Sequence, residues 1–243
     1  MTDDMSNPKV AGSGPEGDTE QRKVLESDTQ SVTVEVHGQK FQGRAVSDSF
    51  VHESYEDWKK LQCLKGLPDW FERNWEITKD KQIRQWQFAD IKPGESALEV
   101  GFRDGFNLAY LDSKGVRVVG IEVNPDSVTH ALSLGQEAYE EDIQQKTHFD
   151  DGQFDVVSAC DVLEHCYDPA SALNEMYRIM KSDARLVVEI PFETEFSENI
   201  SHGHSFLFHN VENAKDIFDQ CRFRVVKMDL EIPQRNIFLL MKK

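Results

Sequence analysis

The run from Ala97 to Asn107, ALEVGFRDGFN, constrains this chain more than any other stretch. Ala97-Leu98-Glu99-Val100 reads as a buried strand ending beside an acid, Gly101 and Gly105 bracket a turn, and Phe106-Asn107 open a helix. Glycine has no Cβ and tolerates positive φ, so these two positions let the backbone turn sharply and approach a ligand closely. In parallel α/β sheets, a strand, glycine turn and helix in this order form a grip for a nucleotide-type ligand. Arg103 stands in the middle of the turn, where a further glycine is common.

The surrounding pattern supports that setting. Beyond Glu95 the chain alternates apolar runs with helical segments. The runs are Ala97 to Val100, Val116 to Ile121, Asp155 to Ala159 and Leu186 to Ile190, with a weaker one ending at Asp142 and two more at Phe223 to Met228 and Asn236 to Met241. Helices are expected at Pro125 to Leu134 and Pro169 to Met180. The loop holding Pro233 is too short for a helical crossover, so the last two strands should pair antiparallel. The predicted fold is a Rossmann-like α/β domain: a seven-stranded, mostly parallel sheet with an antiparallel C-terminal hairpin and helices on both faces.

Before that domain the composition changes twice. Residues 1–30 are rich in acids and in Gly12, Gly14, Pro15 and Gly17, with almost no aliphatic periodicity, and read as a disordered tail. Within 31–94, Val32 to Val36 and Lys40 to Val46 flank His37-Gly38 and predict a β-hairpin. Trp58, Trp70, Trp75 and Trp86 then fall among aliphatic residues at helical spacing, which predicts a helical cap whose tryptophans are mostly core, with Trp75 or Trp86 lining an entrance. The predicted organisation is therefore 1–30, 31–94 and 95–243.

The formal charge of −17 argues against a broad phosphate-binding face, so no nucleic-acid partner is expected. No apolar stretch reaches the roughly 18 residues needed to span a bilayer, and no leader is evident, so a cytoplasmic protein without a membrane partner is expected. Cys63, Cys160, Cys166 and Cys221 form no CxxC pair, and they read as reduced thiols.

In open α/β sheets, ligands sit at the carboxyl ends of the strands, so the residues ending each strand carry the functional information. Glu122 ends the second strand, 21 positions after Gly101, a spacing suited to a ribose diol. Glu141-Asp142-Ile143 ends the third, and Asp161-Val162-Leu163-Glu164-His165 follows the fourth. These pieces, with Leu173 to Lys181 leading into Arg185 to Pro191, resemble in order and spacing the class I S-adenosylmethionine-dependent methyltransferases, in their small-molecule, type 11-like branch. The resemblance runs from about Glu95 onward.

Carried over position by position, the resemblance implies S-adenosyl-L-methionine as cofactor. Gly101 and Gly105 would lie beside its methionine part and Glu99 would organise that loop. Glu122 would bind the ribose, Asp142 the adenine amino group and Ile143 the adenine face, while Asp161 would meet the ammonium or the substrate. Arg103 either points to solvent, with its backbone adopting a glycine-like conformation under strain, or pairs its guanidinium with the cofactor carboxylate. The implied activity is methyl transfer to an oxygen, nitrogen or carbon of a small-molecule acceptor. The alternative is a methyltransferase-like binding or scaffold protein without turnover. A nicotinamide-dependent oxidoreductase fits less well, because Phe106 replaces the third fingerprint glycine.

If the acceptor must lose a proton, Asp161, His165 and His204 are the candidate bases. His165 reads first as the start or cap of the next helix and only second as a base. His202, His204 and His209 lack an acidic or cysteine ligand at a convincing spacing, so a substrate-facing loop from Phe192 to His209 is expected there, and no metal.

Overall fold

The computed structural model describes residues 23–27, 32–36, 39–46, 49–52, 54–63, 69–192, 204–206, 208, 210–231 and 236–243, with side chains in 54–63, 79–192, 204–206, 208, 210–230 and 237–243. Strands β1 (Lys23–Ser27), β2 (Val32–Val36), β3 (Gln39–Val46) and β4 (Ser49–His52) form an antiparallel sheet in the order β1-β2-β3-β4. The expected hairpin is its middle: Val36 pairs with Gln39, leaving residues 37–38 between them. β1 corrects the predicted tail, because Lys23–Ser27 pairs with Val32–Glu35. Its alternation is short and embedded in acids, which hid it from a reading based on composition.

Helices α1 (Tyr55–Cys63) and α2 (Asp69–Phe88) lead into the main sheet. Its strands are β5 (Ser96–Val100), β6 (Arg117–Glu122), β7 (Ala138–Glu140), β8 (Phe154–Cys160), β9 (Met180–Pro191), β10 (Arg224–Glu231) and β11 (Asn236–Lys242). They lie in the order β10-β11-β9-β8-β5-β6-β7. The pairings β5·β6, β5·β8, β6·β7 and β8·β9 are parallel, while β11 runs antiparallel to both β9 and β10. The order reverses at β5, which makes the crevice beside its carboxyl end the place for a ligand.

Between the strands lie α3 (Phe106–Asp112), α4 (Pro125–Ser133), α5 (Pro169–Ile179) and α6 (Val211–Gln220). Three of them start on a side-chain cap. Asn124 accepts the Asp126 N–H, Asp168 those of Ala170 and Ser171, and Asn210 that of Asn213, each satisfying amide donors that a helix leaves unpaired. Pro125 and Pro169 occupy first helical positions, where the absent N–H costs nothing.

Alternation along the central strands sorts the core onto two faces. Val157, Val188 and Leu239 face Leu173, Met176 and Phe218 of α5 and α6. Val156, Val187 and Phe238 face Trp86, Phe88 and Leu111 of α2 and α3. Trp86 is fully buried, so this indole is part of the sheet's core and not of an entrance, contrary to expectation. The Trp75 side chain lies outside the described residues. The second half of α2 is thus an integral layer of the domain, held by Arg84 to Asp229 at 2.8 Å and by Lys227 over the Phe88 ring at 4.1 Å.

At the amino edge of the sheet, charged groups close on one another. Asp155 accepts from Lys181 at 2.7 Å and from the Ser96 hydroxyl at 2.7 Å and amide at 2.9 Å. Arg178 binds Glu175 and Asp151, both at 2.6 Å, and Glu175 also takes the Thr147 hydroxyl at 2.6 Å. Among the described residues no helix is long and apolar enough to cross a membrane.

Candidate active site

At the carboxyl end of β5 the chain turns through three left-handed residues, Gly101 at φ 71°, Arg103 at φ 50° and Gly105 at φ 75°. The Gly101 amide donates to the Ile121 carbonyl at 2.9 Å, which ties the turn to the end of β6. A Cβ on Gly101 would stand 2.8 Å from Val162 Cγ2, so any other residue would add a steric clash to the strain of a left-handed backbone. Arg103 adopts the backbone shape of the glycine it replaces, at a cost of about 1 kcal/mol. Strain of this kind concentrates at ligand-binding turns, and the same backbone serves a guanidinium turned to solvent or to a cofactor carboxylate.

The same turn meets Glu122. One carboxylate oxygen accepts the Val123 and Asn124 amides at 2.8 and 3.2 Å, and the other accepts the Arg103 amide at 3.3 Å. A carboxylate oriented by three backbone donors keeps lone pairs for a vicinal diol without needing a side-chain partner. Sequence spacing alone had joined Gly101 and Glu122, and the fold places the turn and the acid in direct contact.

Glu99 lies beneath the turn, 5% exposed, with Asn107 and Gln85 donating to one of its oxygens. Burial pushes its carboxyl up to about 8, although both hydrogen bonds oppose the rise. A largely neutral acid therefore couples β5, α2 and the start of α3, consistent with an organiser of the loop.

Asp142 follows β7. It accepts the Gln144 amide at 2.9 Å and, on its other oxygen, the Tyr55 hydroxyl of α1 at 2.5 Å. Burial, with the Asp142 hydrogen bond added, raises the Tyr55 phenol far above its usual range, so it remains a donor. Ile143 is 4% exposed within the main core and offers a ligand only a small edge.

Asp161 follows β8 in a left-handed conformation, φ 52°, its amide donating to the Glu189 carbonyl at 3.0 Å. Lys81 of α2 bridges Asp161 and Glu189 at 2.7 and 2.8 Å. Burial alone would lower the Lys81 ammonium, but the two carboxylates outweigh it and raise it, so the cation is firmly charged. Sequence reasoning missed Lys81, Gln85 and Tyr55. Each sits on a helix whose spacing reports packing, while its partner lies far along the chain.

His165 closes a short 3-10 turn, Leu163–His165, and does not begin a longer helix. His204, 39 positions later, comes to it with ring centroids 4.7 Å apart and nearly perpendicular planes. Two of the three proposed bases are therefore neighbours, and Asp161 precedes the same turn by two residues. His202 and His209 lie outside the described residues.

The donor set fits an adenosyl-type cofactor. Acids follow β6, β7 and β8 at one edge of the sheet, and the glycine turn after β5 lies among them.

The profile of the methyltransferase domain family matches residues 98–188. A 100-residue stretch is 29% identical to a ubiquinone biosynthesis O-methyltransferase of Alkalilimnicola ehrlichii, covering 39% of this chain and 40% of that protein. A 167-residue stretch is 23% identical to phosphoethanolamine N-methyltransferase 2 of Caenorhabditis elegans, covering 63% of this chain and 38% of that protein. The chain thus spans about two fifths of the length of these curated relatives. Among solved structures, an S-adenosylmethionine-dependent methyltransferase from Archaeoglobus fulgidus superposes with a TM-score of 0.59 at 18% identity, over 72% of this chain and all of that one, which speaks for the fold. The glycine turn and the strand order agree with the family profile: residues 98–188 match a methyltransferase domain, set in a Rossmann-like fold shared with solved methyltransferases.

Proposed function

We propose that this protein binds S-adenosylmethionine and transfers its methyl group to an oxygen, nitrogen or carbon of a small-molecule acceptor. The observation that carries the reading is Glu122, whose carboxylate is aimed by the amides of Arg103, Val123 and Asn124 at the crevice where strand order reverses. When bound, the cofactor supplies a methyl already electrophilic on its sulfonium, so the chain's task is alignment and exclusion of water.

In this reading Gly101, Arg103 and Gly105 shape the backbone beside the methionine part, and Glu99 holds that turn from below. Glu122 takes the ribose diol, Asp142 the adenine amino group and Ile143 the adenine face. Asp161 holds the ammonium or faces the acceptor, with Lys81 fixing its orientation. His165 and His204 receive a proton where the acceptor must lose one. Relatives named for an O- and an N-acceptor leave the acceptor atom open.

Calorimetry with S-adenosylhomocysteine and with NAD tests the reading: the first should bind and the second should not. No binding of S-adenosylhomocysteine by the folded protein would sink it. A second reading, binding without turnover, draws on Arg103, which holds a left-handed turn position in place of a glycine. Tight binding with no methylation across an acceptor panel supports that reading.

A further inference from the structure

We propose that Glu164, His165 and His204 form a binding site for a divalent transition-metal cation of the zinc type. One ligand atom from each residue lies within 4.8 Å of the other two. Ligand atoms sharing a zinc at about 2.0–2.2 Å stand roughly 3–3.6 Å apart, so a rotation of the side chains by about an ångström closes the set.

The sequence hides this site because its histidines were read with their neighbours, His202 and His209, where no acid is near. The fold supplies the acid from elsewhere. The Glu164 carbonyl accepts the amides of Ser205 and Phe206 at 2.7 and 3.0 Å, which pins the segment carrying His204 against the turn carrying Glu164 and His165. Ser205 and Phe208 are buried, and Phe206 packs on the main core, so the segment is anchored on both sides of these bonds. On the other flank, the Trp58 indole N–H donates to the His165 carbonyl at 2.7 Å, which fixes the turn from α1. The turn carrying Glu164 and His165 and the residues that follow His204 are thus held by backbone bonds and packing, which leaves the donor side chains out of the scaffold, the condition for a preformed ligand set.

Chemistry selects the ion. Two imidazoles and one carboxylate suit zinc, iron, manganese or cobalt, whereas magnesium and calcium prefer an all-oxygen shell. Glu164 is 1% exposed, and a buried carboxylate gains most from a cation placed directly on it. Three protein ligands leave a coordination position open, as in sites where the metal also takes a water or a substrate oxygen. A metal here would occupy the imidazoles that otherwise serve as proton acceptors, so the two roles exclude each other, while failure of metal binding would leave the cofactor assignment intact.

The test is titration of the chelator-treated full chain with Co2+ alone, followed by visible absorption and by metal content after gel filtration. One Co2+ per chain is expected, with ligand-field bands that equimolar Zn2+ abolishes. His204→Ala should weaken binding at least tenfold, while His148→Ala, at an exposed histidine beside Glu141, should not. His204→Cys keeps a ligand and should add an intense thiolate-to-cobalt charge-transfer band, a signature that a structural role for the residue would not produce. Melting curves of each variant separate loss of a ligand from loss of the fold. Absence of a bound, Zn2+-displaceable Co2+ in the wild type, or equal binding by folded His204→Ala, overturns the proposal.

Discussion

Asp155 at the amino edge of the main sheet and Asp161 at its carboxyl edge are both paired to a lysine at 2.7 Å, yet the two edges are built differently. At the amino edge the partners come from the sheet itself and from residues flanking it: Ser96 and Lys181 for Asp155, and Arg178, one turn along α5, for Glu175. At the carboxyl edge the partners come from outside it. Lys81, Gln85 and Tyr55 reach in from α1 and α2, and the segments after the strands add the Asn107 side chain and the amides of Arg103, Val123 and Asn124. The first edge is a closed ledger of structural pairs. The second is a row of acids oriented from one side and able to accept more on the other.

The largest effect should separate the edges by pH. Glu99 carries a carboxyl raised by burial from 4.5 to about 8, so the folded state holds a proton that the unfolded state releases. Its stabilising contribution is complete below about pH 4.5 and is lost as pH rises towards 8, with a limiting slope of about 1.4 kcal/mol per pH unit. Glu99→Gln, which cannot titrate, should flatten that slope in urea unfolding measured from pH 5 to 8. An unchanged slope would mean that the buried acid is already ionised.

Next comes ligand affinity. Glu122→Ala should weaken S-adenosylhomocysteine binding by about 2 kcal/mol, roughly 30-fold, with little change in melting temperature. Glu175→Ala, at the other edge, should do the reverse: it strips Arg178 and Thr147 of a shared acceptor, costs about 1–3 kcal/mol of stability and leaves calorimetric affinity alone. If both variants affect both readouts equally, the edges are not functionally distinct.

Lys81→Met removes the cation from the fully buried Glu189. The buried-pair penalty is reduced by the partial exposure of Lys81, so a stability loss of about 1–2 kcal/mol is expected by denaturant titration. The smallest effect belongs to Asp155, held at about 2 by Lys181 and Ser96 against the opposing influence of burial. Its contribution is present above about 3.8 and is lost as pH falls through 2. After allowance for solvent screening, Asp155→Asn should cost about 1 kcal/mol at neutral pH and blunt acid unfolding between pH 4 and 2.

Much of the domain was legible because its signals are local. The fully buried β5, the Asn124-Pro125 and Asp168-Pro169 helix starts and the acids ending β6, β7 and β8 follow from runs, caps and spacing. What escaped was carried by contacts between distant segments. Trp86 looked like any tryptophan at helical spacing until the sheet face it covers was known. Lys81 has no marker on α2, because its meaning lies in Asp161 and Glu189. β1 was hidden by acidic surroundings that suggest disorder while a single neighbouring strand suffices to pair it. His204 was judged among the histidines beside it, although its relevant neighbours are the two residues of a turn 39 positions earlier.

The position of β11 between β9 and β10 has a consequence for how the molecule forms. β9 is among the most apolar strands, with Leu186, Val187, Val188 and Ile190 fully buried, and one of its edges is covered by β11 alone. During synthesis that edge stays open while α6 and β10 emerge, because β10 follows β9 in sequence but, among the described strands, pairs with β11 alone. A nascent chain thus exposes a long hydrophobic strand edge, the template for association with other chains, until Asn236–Lys242 arrives to close it. Solubility in the cell should accordingly be governed by the speed of that final insertion as much as by the stability of the finished fold.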